Sequence, residues 1–170
     1  MTTLLRIDAS AQLEDRSLTR KLTTLFTTEF RAANPSAKVI TRDVGHDPVP
    51  AIDHRFIHAA FTPMEAREGW MTERLALSDT LIDEVEAADI IVLGAPMYNY
   101  GMPAALKGWI DHIARIGRTF SFDLARGDVG HRALQRLGHL DAHAAVVERH
   151  DQQQAVAHLA PADLPGIAQA

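Results

Sequence analysis

Ile90-Ile91-Val92-Leu93-Gly94-Ala95-Pro96-Met97-Tyr98-Asn99-Tyr100-Gly101-Met102-Pro103 is the stretch that decides the fold. Its first six residues run without a polar interruption, the pattern of a strand buried on both faces of a parallel sheet, so this is expected to be the central strand. The second part switches to Pro, Gly, Met, Tyr and Asn, which marks a loop at the carboxyl end of that strand with large side chains left at its rim. Before the strand, Leu75, Leu77, Leu81, Ile82 and Val85 recur at helical spacing. After it, Pro103 opens a helix, Leu106, Trp109, Ile110, Ile113 and Ile116 share one face, and Gly117 supplies the stop.

Moving outward, Leu4-Leu5-Arg6-Ile7 reads as a first strand. Leu18, Leu22, Leu25, Phe26 and Phe30 predict an amphipathic helix that ends at Ala33-Asn34-Pro35. Lys38-Val39-Ile40-Thr41-Arg42-Asp43 is β-branched and reads as an edge strand. Residues 44 to 61 contain Pro48 and Pro50 with no sustained period and read as a surface loop, helical pattern resuming near Glu65. Strands alternating with helices argue for a doubly wound α/β fold with a parallel sheet. From 129 to 170 the composition changes: no Ser, Thr, Lys, Asn, Met, Phe, Tyr or Trp occurs there. Residues 132 to 140 and 143 to 159 are helix-compatible, and nothing in the tail has the β-branched run of a buried strand. The organisation expected is a domain over 1 to 125 followed by an anomalous, helix-compatible and poorly ordered tail over 126 to 170.

The chain has 170 residues, enough for one substantial core, and its 46% apolar and 23% charged residues are ordinary globular usage. A net charge of -5 and the lack of any lysine-arginine run argue against nucleic acid. With no cysteine, disulfides, thiolate metal sites and a cysteine nucleophile are excluded. No apolar run approaches the roughly 20 residues needed to span a bilayer, and the first residues have no basic region followed by an apolar one. The expectation is a cytoplasmic protein with no membrane partner.

In a doubly wound sheet, ligands bind beyond the carboxyl ends of the strands where the strand order reverses, which directs attention to the loops after the first and the central strand. The first, Asp8-Ala9-Ser10-Ala11-Gln12-Leu13-Glu14-Asp15-Arg16-Ser17-Leu18-Thr19-Arg20, has no glycine, so neither a dinucleotide fingerprint nor a phosphate-binding P-loop can be built there. Ser10, Ser17 and Thr19 are three hydroxyls that can converge with free first-turn N–H groups on a phosphate monoester. Ser17 also suits a plain helix N-cap and Ser10 a plain turn, and the loop alone leaves both readings open. The second loop suits a planar heteroaromatic ring: backbone groups and Asn99 for a polar edge, Met97 and Tyr98 for the faces. A tyrosine cluster in a folded loop is the competing reading.

Ala95-Pro96-Met97-Tyr98-Asn99-Tyr100, followed by Pro103-Ala104-Ala105-Leu106-Lys107-Gly108-Trp109-Ile110-Asp111, closely resembles the FMN-dependent NADH azoreductases, also called NADH:quinone oxidoreductases. Ser10, Ser17-Leu18-Thr19-Arg20-Lys21-Leu22, Arg42-Asp43, Leu77-Ser78-Asp79 and Gly117-Arg118-Thr119-Phe120-Ser121-Phe122 fall in the family's order, so the resemblance covers about residues 3 to 125. It implies a flavodoxin-like homodimer that binds FMN, takes electrons from NADH and passes them to quinones or azo compounds by a ping-pong mechanism. By motif, Ser10, Ser17, Leu18 and Thr19 would hold the phosphate, Leu18 through its backbone. Pro96, Met97, Tyr98, Asn99 and Tyr100 would hold the isoalloxazine, and Phe120 and Phe122 would wall the substrate pocket. No protein side chain is assigned a catalytic step. Beyond 125 the family pattern of a fourth strand, a Ser-x-Gly-Gly loop, a helix and a fifth strand has no counterpart, so the last two strands are expected to be missing or altered. Two other classes remain: a flavodoxin-type one-electron carrier, and a truncated or divergent remnant poor in cofactor.

His131, His139, His143, His150 and His158 offer no pair with an acidic third ligand, and no metal is expected. Asp8 has the strand-end position of a phosphoryl-accepting aspartate but lacks a readable second acidic neighbour. Trp70 and Met71 read as packing residues, and Lys107 with Asp111 as an exposed i,i+4 pair.

Overall fold

The computed structural model describes residues 1–123, 128–130, 145–150 and 154–158, with side chains through residue 120. In chain order it has β1 (Thr3–Asp8), α1 (Leu18–Ala33), β2 (Lys38–Asp43), α2 (His54–Phe61), a 3₁₀ turn (Met64–Ala66), α3 (Gly69–Ala87), β3 (Ile90–Ala95), α4 (Ala104–Ile113), β4 (Ser121–Asp123), β5 (Asp128–Gly130), β6 (Ala145–His150) and β7 (Gln154–His158). The main sheet has the order β2-β1-β3-β6-β7, and β4 pairs with β5 as a separate ribbon. Strands β2, β1, β3 and β6 are parallel, with Leu5 opposite Ile40 on one side and Ile91 on the other. The strand order reverses at β1 and β3, and β3 is the middle strand as its apolar run predicts.

Period-two alternation explains the two-sided core. Leu5, Ile7 and Ile91 face α3 and α4, where they pack with Leu81, Ile82, Leu106 and Trp109. Leu4 and Val92 face the opposite way onto Phe30 of α1.

The buried face of α1 is not the leucine stripe. Leu18 and Leu25 are exposed, while Thr19, Arg20, Thr23, Thr27 and Phe30 are buried. The threonines win because the adjoining sheet face is polar: Thr23 Oγ1 donates to Asp8 Oδ1 at 2.6 Å, and Arg6 Nη2 donates to Thr24 Oγ1 at 2.8 Å. Their small side chains also let the helix lie close to β3, since a Cβ on Gly94 would stand 2.9 Å from Thr23 Cγ2.

Two further expectations are corrected. Residues 54–61 form α2 rather than loop, started by Asp53, whose Oδ1 accepts from the N–H of Phe56 at 2.7 Å. The helix-compatible reading of 143 to 159 gives way to two strands, β6 and β7. An unpaired edge on β3 would leave a row of backbone donors and acceptors open, and Val92 to Ala95 instead pair with residues 145 to 148. Ala145-Val146-Val147 and Ala155-Val156-Ala157 carry too few β-branched residues to announce this alone, and tertiary pairing overrides local propensity. Of the last two strands β6 is parallel to β3, and β7 alone is altered in direction, running antiparallel to β6. Only residues 151–153 join them, a connection that suits a hairpin and is far too short for a parallel crossover.

Candidate functional site

Ser10 lies near the start of the loop after β1, and Ser17 and Thr19 lie at the start of α1; all three are buried. Ser17 is the N-cap of α1, its Oγ accepting from Arg20 N–H at 3.3 Å. Its hydroxyl also lies 3.1 Å from Thr19 Oγ1, so one of those two protons is directed elsewhere. Ser10 Oγ accepts from the Gln12 N–H at 3.2 Å. Its own proton, like the N–H groups of Leu18 and Thr19, meets no acceptor among the described residues. Ser17 therefore caps the helix and also sits in a cluster of buried hydroxyls. A cluster with more donors than acceptors at the positive end of a 16-residue helix suits an anion.

Beneath the loop lies a guanidinium. Arg20 is 6% exposed and clasps Asp43 with Nη1 and Nη2, both at 2.7 Å. The hydrogen bonds that Arg20 donates to Asp43 raise its pKa, working against burial. Burial pushes Asp43 upward, but hydrogen bonds from Arg20 and from the N–H of His46 outweigh it and hold the carboxyl below its usual range. Asp8 is also fully engaged, paired with Arg6 Nε at 2.8 Å and accepting from Thr23, so it offers no free carboxylate for phosphoryl transfer.

The loop after β3 is more regular than its composition suggests. Tyr98 and Gly101 exchange N–H···O bonds of 2.9 and 3.0 Å, and Asn99 (φ 50) and Tyr100 (φ 63) between them are left-handed. This is a tight two-residue reversal of the kind that favours positive φ at both central positions. It consumes the Tyr98 N–H, leaving those of Met97, Asn99 and Tyr100 without a backbone acceptor among the described residues. Pro96 is buried and Met97 half-buried, whereas Tyr98, Asn99 and Tyr100 are exposed, Tyr100 at 99%. The two loops touch: the Ala11 N–H donates to Tyr98 Oη at 3.0 Å. The sheet thus brings Ser10, Ser17, Thr19 and the 96–100 segment to one end of β1 and β3.

Phe120 is half-buried in the turn after α4, and its carbonyl accepts from Gly117 N–H at 2.8 Å. No ring contact or hydrogen bond ties it to either loop among the described residues. Phe122 is in β4 opposite Val129, and its side chain lies outside the described residues. The same holds for the side chains of His131, His139, His143, His150 and His158. Among the described residues, no group of three His, Asp or Glu is placed to hold a metal, and no helix is long and apolar enough to cross a membrane. The residues that sequence reasoning missed are Gly45 and the pair Arg20–Asp43. A Cβ on Gly45 would lie 2.1 Å from Ser10 O, so the approach of the β2 exit to the first loop requires glycine there. The signal available was an arginine in the first turn of a helix, where a cation is disfavoured.

Comparison with known proteins agrees with this geometry. Over 134 residues the chain is 49% identical to an FMN-dependent NADH:quinone oxidoreductase 2 of Colwellia psychrerythraea, a match covering 75% of this chain and 61% of the relative. It is 43% identical over 137 residues to an FMN-dependent NAD(P)H:quinone oxidoreductase 1 of Pseudomonas aeruginosa, covering 80% of this chain and 64% of that one. The chain therefore spans about six tenths of the length of the curated relatives it matches. The crystal structure of azoreductase AzrA superposes with a TM-score of 0.70 at 18% identity, covering 89% of both chains, which speaks to the fold alone. The model of the flavodoxin-like fold family matches residues 2–161, nearly the whole chain, and with the strand order and the paired loops at its reversal point this chain belongs to that family.

Proposed function

We propose that the two loops form one FMN site and that the chain acts as an FMN-dependent oxidoreductase, taking electrons from NADH and delivering them to quinones and azo compounds. The observation that carries this reading is a cluster with more donors than acceptors among the described residues, the buried hydroxyls of Ser10, Ser17 and Thr19 with the N–H groups of Leu18 and Thr19, set beside a rim of Met97, Tyr98, Asn99 and Tyr100. A phosphate monoester supplies the missing acceptors, and a flat ring suits the rim. The relatives, FMN-dependent quinone oxidoreductases, support the same cofactor and acceptor.

FMN, when bound, supplies a carrier that takes a hydride from a nicotinamide and returns electrons to an acceptor. The chain's own residues position it. The Ser10 hydroxyl, whichever of the Ser17 and Thr19 protons is not given to the other, and the N–H of Leu18 would donate to the phosphate. Pro96, Met97, Tyr98, Asn99 and Tyr100 hold the ring, with N–H groups left free by the turn available to its polar edge. Phe120 and Phe122 wall the space where donor and acceptor bind in succession, which makes the kinetics ping-pong. Because the cofactor would carry the electrons, no protein nucleophile is required, and water can supply the protons. Tyr100 and Met102 stand out at the rim, and a second copy of the chain would cover them as a homodimer in the cytoplasm.

The test is the purified full chain with added FMN. Uptake is expected to give a yellow protein that bleaches with NADH and recovers with menadione or an azo dye, with parallel double-reciprocal lines. The double substitution Ser17→Ala, Thr19→Ala is expected to weaken FMN binding by about 2–4 kcal/mol. No FMN uptake by the unaltered chain would refute the proposal, and intersecting lines would refute the ping-pong order.

A further inference from the structure

Arg20 occupies a place that is electrostatically wrong for it. It is in the first turn of α1, where the helix amides disfavour a cation, and it is 6% exposed. What offsets this is the contact set. Besides Asp43, its Nε donates to the carbonyl of Ser10 at 3.2 Å and Nη2 converges on the same oxygen, so four of its five N–H groups are engaged. Gly45 admits the group, because a Cβ there would stand 2.9 Å from Arg20 Nη2 as well as against Ser10.

The peptide unit that gives its oxygen to Arg20 is the one whose N–H, that of Ala11, donates to Tyr98 Oη. The Ser10–Ala11 peptide is therefore held at both poles. Its oxygen turns inward to the guanidinium and its N–H turns toward the loop after β3. Rotating this one peptide by half a turn would break both bonds and carry with it the Ser10 hydroxyl, one of the donors of the cradle.

We propose that Arg20 is a positioning residue for phosphate recognition: clasped by Asp43 and admitted by Gly45, it fixes the Ser10–Ala11 peptide in the orientation that lets the loop accept a phosphate monoester, without itself binding the anion. This rests on the reading of the first loop as a phosphate cradle. Arg20 thereby governs discrimination between phosphorylated and unphosphorylated flavin, and contributes nothing to recognition of the ring.

The experiment measures FMN and riboflavin affinity side by side by fluorescence quenching, for the full chain and its Arg20→Lys variant, with the ³¹P resonance of bound FMN as a second readout. A lysine ammonium cannot make the two-pronged clasp on Asp43 and hold Ser10 at the same time. The unaltered chain is expected to favour FMN over riboflavin strongly. In Arg20→Lys that preference is expected to fall at least tenfold through loss of FMN affinity alone, with a shifted ³¹P resonance and riboflavin affinity within twofold. Asp43→Asn, which keeps the guanidinium on Ser10, is expected to show a smaller fall, and it carries the same test should the lysine variant not fold. An unaltered chain with no preference for FMN overturns the cradle reading, and this proposal with it. A preference that persists in both variants overturns the positioning role alone, as does an equal loss of both ligands, which would mark Arg20 as general support for the fold.

Discussion

Gly45 and Gly69 give a paired test of how tightly the first loop is built, because the same substitution is expected to act with opposite sign at the two positions. In Gly45→Ala the new Cβ would lie 2.1 Å from the Ser10 oxygen and 2.6 Å from its carbonyl carbon. Both are backbone atoms, so relief needs a main-chain shift of about an ångström, beyond what a rotamer change can provide. Overpacking of this kind costs about 1–3 kcal/mol. The shift also threatens the Gly45 N–H to Asp8 carbonyl bond of 3.0 Å, worth about another 1 kcal/mol. The expected loss is about 2–4 kcal/mol, or roughly 5–15 °C in melting temperature for a chain of this size. Gly69→Ala is the control: nothing lies within 4 Å of its Cβ, and it is the first residue of α3, so a gain of about 0.5 kcal/mol or no change is expected. Urea unfolding followed by circular dichroism measures both. A Gly45→Ala protein within about 0.5 kcal/mol of the unaltered chain would show that β2 and the first loop do not pack as described.

Three further substitutions probe other parts of the molecule. Tyr100→Gly removes a left-handed residue from the tight turn, and stability is expected to rise by about 0.5–1 kcal/mol in urea unfolding while FMN affinity falls; a less stable variant would contradict the strain at φ 63. His112 is buried, and burial drives its pKa below 6.5 against the opposing hydrogen bond to the Pro50 carbonyl. Its Nε2 lies 2.9 Å from that carbonyl and carries the proton, while Nδ1 is buried without a partner among the described residues, so the charged form has an unpaired donor there. Below pH 6.5 the unfolded chain takes up the proton first, so stability is expected to be complete above that pH and to fall as pH drops toward the folded value. His112→Gln should flatten that slope, and identical slopes in both proteins would refute the assignment. Arg115 is buried and joins Asp79 and, at 2.9 Å, Ser78 Oγ. Arg115→Met is expected to cost about 1–3 kcal/mol in thermal unfolding, moderated because Asp79 is partly exposed and keeps Arg118 at 2.6 Å; an unchanged melting temperature would show the pair to be dispensable.

The parts of the fold legible in the sequence are those where one physical demand dominates. Ile90 to Ala95 must be a doubly buried strand because nothing in it tolerates water, and it is the middle strand. The first loop and the 96–100 loop were readable as a pair because the fold class fixes where strand ends meet. The buried face of α1 was not readable, because two faces compete and the decision belongs to Arg6 and Asp8 across the gap, which prefer threonine hydroxyls to leucine. Helix α2 was not readable because Pro48 and Pro50 outweigh the one start signal, Asp53, whose role needs the fold to be seen. Strands β6 and β7 were hidden because alanine-rich segments carry little preference of their own, and the open edge of β3 supplies what their side chains do not. The Arg20–Asp43 clasp joins residues 23 apart and needed the first loop to be folded before it had a meaning.

The β6–β7 hairpin also bears on the order in which the chain assembles. Every pairing within it, from His150 with Gln154 out to Val146 with His158, closes over a dozen residues or fewer, so its loop entropy is small. By contrast β1 must find β3 across 86 residues at Leu4 and Ile90, and β3 must find β6 across 53 at Val92 and Ala145. A parallel last strand would add another long search of this kind. With an antiparallel one, two of the sheet's five strands reach β3 as a single unit, and one docking event settles the position of both.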